Sequence, residues 1–305
     1  MALSFFRKDT SPAPSAANAD LEAFLKGYSI EVMPRTAEKV EDFRAILPRG
    51  TRVYIAHIEG TPIEEMVATA GRIGAEGFDV MPHFPARIIK DKATLKDWVQ
   101  AYKDVGVRQG LLLAGGVAQP VGDFHTSMQL LESGAFDGFK RLHVAGHPEG
   151  NKDIDPDGSD RMVMEAARWK SAFAERTDAQ MAMATQFCFE AAPVIAWVDR
   201  LAAEGVKLPV HIGIAGPAKL QTLIKFAIAC GVGPSLRVLQ KRAMDVTKLL
   251  LPYEPTEILT ELAAHKAKTP GFGIEQVHFF PLGGIKTNAA WVTDNGGTSG
   301  QPANS

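Results

Sequence analysis

The residues able to move protons recur in one kind of place along this 305-residue chain, at the ends of short apolar runs. RLHVAGHPEG, residues 141–150, passes from a strand-like segment into His143, His147 and Glu149 beside two glycines. RVYIAHIEG ends in His57 and Glu59, FDVMPHFP ends near His83 and Arg87, and QGLLLAGG ends in Gly115 and Gly116. AQMAMATQF leads into Thr185, Gln186 and Glu190, and Glu31 stands inside SIEVMP. Carboxylates near imidazoles are the material of general acid–base catalysis. A glycine pair lets a flat or phosphate-bearing ligand come against the backbone. His143, His147 and Glu149 have ligating side chains, but a strand position and a loop position lack the helical i, i+4 spacing of a zincin, so no metal is expected.

Glu31 carries the most weight. Flanked by Ile30 and Val32, it either points into a site or is costly to bury. Partial burial is expected to raise its pKa and make it a general acid near neutrality.

Eight such runs must be positioned by the elements around them. YSIEVMP, RVYIAHIEG, FDVMPHFP, QGLLLAGG, RLHVAG, AQMAMATQF, LPVHIGIAG and VHFFPLGG mostly lack polar alternation, as strands buried on both faces of a parallel sheet do. Helical patterns separate them. TPIEE offers Thr61 as N-cap, Pro62 at the first helical position and Glu64 to close a capping box. GPAKLQTLIKFAIACG has Pro217 near its start and Gly231 just past its end. The stretch from Gly233 to Pro270 is long enough for two or more helical pieces. Strand–helix alternation on this scale predicts a (β/α)8 barrel whose C-terminal strand ends form the site. The rival open Rossmann sheet should carry G-x-G-x-x-G after its first strand, and EVMPRTAEK does not.

A 46% apolar, 22% charged composition with net charge −2 is that of a globular protein without a general pull on nucleic acid or anionic membrane. No apolar run is long enough to span a bilayer, and MALSFFRKDT lacks the apolar stretch of a signal peptide, so a cytoplasmic protein is expected. Residues 1–20 and 293–305 are small, polar and rich in Pro, Gly and Ser, and read as flexible tails around a single barrel over residues 21–292. Homo-oligomeric assembly is expected.

SIEVMPRT at the first strand, MPHF at the third, HPE after the fifth and ATQFCFE at the sixth resemble, in that order and spacing, the methylenetetrahydrofolate reductases. HIGIAGPAKLQTLIKF is similar to that family's seventh strand and following helix, so the resemblance covers about Ser29 to Gly284. It implies a flavin enzyme passing hydride between NADH or NADPH, FAD and the one-carbon unit of tetrahydrofolate. FAD would touch His57, His83, Gly115, Gly116, His143, His147, Asp160 and Lys170. Gln186 would orient the pterin, with Phe226, Gln221, Phe280 and Lys286 completing the substrate contacts. Glu31 would protonate folate N10 in the reductive direction and act as base in reverse.

Two departures weaken the implied electrostatics. Family members usually carry L-R-G-D at the fourth strand, and here Gly116 falls on that aspartate; Glu59 and Asp123 are the neighbouring carboxylates that could replace it. PLGGIK stands where the family reads T-L-N-R, so Lys286 replaces a folate-binding arginine without its bidentate geometry. The alternatives are a flavin-free, tetrahydrofolate-dependent methyl transferase or demethylase, and a non-catalytic folate-binding protein.

Overall fold

The computed structural model describes residues 16–244 and 251–298. Eight parallel strands close into a barrel in chain order, β1 to β8, with β1 pairing both β2 and β8. They are β1 (Ser29–Val32), β2 (Arg52–Ile55), β3 (Asp79–Pro85), β4 (Gln109–Leu113), β5 (Arg141–Gly146), β6 (Gln180–Cys188), β7 (Val210–Ala215) and β8 (Ile274–Phe280). All eight apolar runs are strands, and the (β/α)8 expectation holds.

Helices cover the outside. α1 (Ala16–Leu25) precedes the barrel, and a one-turn α2 (Pro34–Ala37) follows β1. The crossovers carry α3 (Ile63–Ala75), α4 (Lys92–Asp104), α5 (Ser127–Glu132), α6 (Arg161–Ala174), α7 (Ala191–Ala203) and α8 (Leu220–Ala229). The long stretch before β8 holds α9 (Gly233–Ala243) and α10 (Thr256–Lys268), as its length required, and α11 (Ile285–Asp294) follows β8. The main core lies between this helical layer and the outer face of the barrel, where Ile30, Val53, Val80, Leu112, Val144 and Ile212 are buried.

One local expectation is corrected. Thr61 does not cap α3: Pro62 is the N-cap, no side chain closes a capping box there, and the helix begins at Ile63. Thr61 instead offers its carbonyl to His57 Nε2 at 2.9 Å, which ties it to the loop. At the N-terminus α1 begins at Ala16, within the expected tail of residues 1–20, and its Leu21, Phe24 and Leu25 form an apolar stripe that is buried against the barrel's helical layer. At the other end α11 runs to Asp294, and Thr298 accepts a hydrogen bond from the Gly27 amide. The remainder of both expected tails lies outside the described residues. The helix end at α8 agrees with expectation: Cys230 is the C-cap and Gly231 follows in the left-handed region at φ +67°.

Candidate active site at the C-terminal mouth

Because alternate residues of each strand face inward, the barrel interior can be read from strand register. Tyr54 lies beside Glu31 on one side and Met81 on the other, and Leu111 lies beside His83 and His143. The interior is unusually polar. Tyr54 and four of the eight histidines, His83, His143, His211 and His278, line it.

Near the mouth, Glu31 Oε2 lies 3.3 Å from His83 Nε2 and 3.7 Å from His278 Nε2. The Glu31 side chain keeps 18% of its surface exposed, whereas His83 and His278 are buried. Burial pushes the Glu31 pKa up, but the two imidazoles overcome it by hydrogen bonding and charge and hold the carboxyl at about 2. The expected rise is therefore reversed: Glu31 rests as a carboxylate, a base rather than a stored acid. Sequence reasoning missed the cause because His278 sits in an ordinary apolar run, VHFF, and meets Glu31 only where β8 closes onto β1.

Behind this group, Tyr54 Oη and His143 Nδ1 are 2.6 Å apart, and the His143 and His211 rings meet edge to face at 4.5 Å. His211 Nε2 reaches Glu275 Oε2 at 2.8 Å, and Glu275 is half exposed near the start of β8. Burial holds His143 well below the usual imidazole range and His211 at about 4, so both are neutral at pH 7. His143 is wholly buried in the barrel rather than open at the mouth, where the resemblance implied a ligand contact.

The other expected residues divide between the mouth and other surroundings. Gly115 (φ +95°) and Gly116 follow β4, and a side chain at Gly116 would meet nothing within 4 Å. His147 is half-buried just past β5, and burial holds its imidazole at about 4. Gln186 is exposed near the end of β6, beside a register shift between Ala184 and Phe187. There Thr185 Oγ1 donates to the Gln186 carbonyl at 2.8 Å and accepts from the Gly213 amide at 2.8 Å. Gly213 is required, since a Cβ there would strike the Thr185 and Gln186 carbonyls. Phe280 is buried against the His278 and Phe187 rings at 4.9 and 5.5 Å. Phe226 is half-buried on α8, Gln221 is exposed on the same helix, and Lys286 is exposed on the first turn of α11.

Two expected contacts are engaged elsewhere. Lys170 lies behind the sheet in a small cavity between β5, α6 and α7, lined by Gly146, Val163, Met183, Trp197 and Leu201. Its Nζ donates to the Ala145 carbonyl at 3.0 Å, and burial lowers its pKa to about 8. The helical stripe of α6 turns Lys170 toward the sheet rather than the mouth. Asp160 is paired in bidentate fashion with Arg200 on α7. His57 is buried against Trp98, their ring centroids 5.0 Å apart.

Two further groups shape the rim. Arg87 donates to the carbonyls of Val117 and His125 at 3.0 and 3.3 Å and lies 3.7 Å from Asp153, fastening the loops after β4 and β5. Glu149 accepts from both the amide and the hydroxyl of Ser235, joining the β5 loop to the first turn of α9. Among the described residues no group of three or more His, Cys, Asp or Glu is placed to hold a metal ion, and no helix is long and apolar enough to cross a membrane.

No protein-family model matches the chain. Among solved structures, an uncharacterized protein from Clostridium thermocellum, described as binding two copies of 5-methyl-5,6,7,8-tetrahydrofolic acid, superposes with a TM-score of 0.59 at 9% identity. The match covers 90% of this chain and 98% of that one. A mandelate racemase/muconate lactonizing enzyme from Bordetella bronchiseptica RB50 gives 0.43 at 12% identity, covering 92% and 63% of the two chains. The carboxyl transferase domain of Rhizobium etli pyruvate carboxylase gives 0.45 at 9%, covering 98% and 54%. At these identities the likeness is one of fold.

Proposed function

We propose that this barrel binds a reduced folate at its C-terminal mouth and catalyses a one-carbon conversion on it, with Glu31 as the proton-handling group. The observation that carries the reading is Glu31 itself, an ionised and partly accessible carboxylate between His83 and His278. Gln186, the residue assigned to the pterin by resemblance, is exposed at the same end of the barrel. The tetrahydrofolate bound by the similarly folded Clostridium protein is consistent with a folate ligand. With Glu31 ionised at rest, proton removal from the substrate is the favoured direction; the reverse reaction needs a proton delivered to Glu31 first.

Two finer forms of this activity differ in whether a flavin takes part. The flavin-free form, methyl transfer from or to tetrahydrofolate, is favoured by three side chains that are committed elsewhere: His143 in the barrel, Lys170 behind the sheet, and Asp160 on Arg200. The flavin-dependent interconversion of methylene- and methyl-tetrahydrofolate with NAD(P)H is favoured by Gly116 after β4, where a side chain would meet nothing within 4 Å and a flat ligand can come against the backbone. A flavin held there would supply the hydride carrier. Titration calorimetry with 5-methyl-tetrahydrofolate tests the common reading, and absence of binding overturns it. A visible spectrum after FAD addition, then NADH or NADPH and methylene-tetrahydrofolate, separates the two forms: flavin bands that bleach and return support the reductase, and no uptake supports methyl transfer.

A further inference from the structure

His278 has no role in the reading above beyond facing Glu31, yet its two ring nitrogens face partners of different kinds. Nε2 faces the Glu31 carboxylate at 3.7 Å, which only accepts. Nδ1 lies 3.0 Å from Ser29 Oγ, a hydroxyl that can donate or accept. The same Oγ is 3.5 Å from the Val277 carbonyl, so the serine proton has a second acceptor within reach. Ser29 and His278 are almost fully buried, where an unpaired polar group is costly. By contrast, His143 Nε2 and His211 Nδ1 are buried without a hydrogen-bond partner.

We propose that Ser29 and His278 form a two-state proton store behind Glu31, the serine hydroxyl rotating to satisfy either charge state of the imidazole. In the first state His278 is neutral: Nε2–H faces ionised Glu31, and the Ser29 hydroxyl donates to bare Nδ1. In the second the site has gained one proton. His278 Nδ1–H now donates to Ser29 Oγ, whose own hydrogen turns to the Val277 carbonyl, and Nε2–H still faces Glu31. From there the Nε2 proton passes to Glu31 Oε2, leaving neutral His278 with its hydrogen on Nδ1 and a protonated Glu31 able to give that proton to a substrate. One proton enters and one leaves, with no redox change; the neutral ring, left with its hydrogen on Nδ1, returns to the first state by taking a proton on Nε2 and releasing the one on Nδ1. His278 acts through Glu31 and is a positioning residue. The device rests on the proposed acid–base role of Glu31 and explains how a carboxylate that is ionised at rest can be loaded for the reverse reaction.

The charged and titratable groups around His278 come from every neighbouring strand: Glu31 on β1, Arg52 and Tyr54 on β2, His83 on β3, His143 on β5 and His211 on β7. Arg52 and any protonated imidazole oppose the second state, and Glu31 favours it. Burial holds His278 below the ordinary imidazole range, consistent with a neutral resting form.

Nitrogen-15 NMR of histidine side chains in the full-length protein reads tautomer and charge at each ring directly. The expected result for His278 is an Nε2–H neutral form at high pH that gains its Nδ1 proton on acidification. Ser29→Ala removes the acceptor for Nδ1–H and should lower that midpoint by at least one pH unit, a tenfold loss in proton affinity. Ser29→Thr keeps the hydroxyl and should restore the midpoint. The same two variants, assayed for turnover, should move and restore the acidic limb of the kcat profile. An unchanged His278 midpoint in Ser29→Ala, or a resting neutral form at high pH, with Glu31 ionised, that carries its proton on Nδ1, overturns the proposal. The NMR result stands apart from function: a protein that titrates as described but binds no folate loses the functional reading and keeps the proton store.

Discussion

Tyr54 Oη and His143 Nδ1 stand 2.6 Å apart in the middle of the barrel, on strands that are three apart in the sheet. The contact fixes a tyrosine hydroxyl and a wholly buried imidazole below the mouth, and the Tyr54 ring lies 4.3 Å from the His278 ring. Glu31 is therefore carried on a hydrogen-bonded polar layer rather than on the aliphatic plug that commonly fills such barrels.

Removing that contact should cost stability. Tyr54→Phe leaves His143 Nδ1 without its partner in a dry interior and is expected to destabilise the fold by about 1–3 kcal/mol. Equilibrium urea denaturation measures it, and a midpoint equal to that of the unaltered protein would mean the hydrogen bond contributes nothing net.

Glu31→Gln tests the chemistry directly. If Glu31 moves the proton, the variant should retain folate binding by calorimetry and lose roughly 10²- to 10⁴-fold in turnover. Equal losses in binding and turnover would assign Glu31 to ligand binding alone.

Acid should unfold the protein through this same interior. Glu31 is held at about 2, below its ordinary value of 4.5, so its stabilising contribution is complete above pH 4.5 and is lost as pH falls toward 2. His147 and His211, held at about 4, stay neutral when folded while an unfolded imidazole charges near 6.5. The unfolded chain binds more protons in both windows, so stability should fall continuously from about pH 6.5 downward. Thermal melts at stepped pH check this, and Glu31→Gln should flatten the part below pH 4.5.

Lys170 makes the opposite case. Its ammonium is buried with one carbonyl partner and its pKa is lowered to about 8, so below pH 8 it costs stability, and that cost is relieved as pH rises from 8 toward 10.5. Lys170→Met keeps most of the volume and is expected to stabilise the protein by about 1–3 kcal/mol at pH 7. If the variant also leaves FAD uptake unchanged, Lys170 has no part in holding a flavin; a loss of uptake would restore it as a contact.

The glycine pair after β4 should respond unequally. Gly115→Ala forces a side chain into a φ of +95°, 3.0 Å from Pro85 Cβ, and should destabilise by about 1–2 kcal/mol. Gly116→Ala adds a methyl to open space and should melt like the unaltered protein while weakening any flat ligand that lies against this backbone. Melting temperature and ligand affinity, measured together on both variants, check the contrast.

Strand existence and order were legible in the sequence because buried parallel strands are apolar on both faces, and glycine, proline and capping signals punctuate the helices between them. Those local terms determined the barrel and put Glu31, His83, Gly116 and Gln186 at one end of it. They did not determine which way each polar side chain points. His143 and His147 share one short stretch, yet pleat direction sends His143 into the dry interior and leaves His147 partly exposed beyond the strand. Lys170 turns behind the sheet because the period of α6, not its distance from the strand end, sets its direction. The partners of Glu31 were furthest from view. His278, which faces Glu31 and also meets Ser29 from 249 residues away in the chain, reaches both only because the sheet closes β8 onto β1. The charge of Glu31 depends on that closure, since burial alone drives its pKa upward and only the converging imidazoles drive it down.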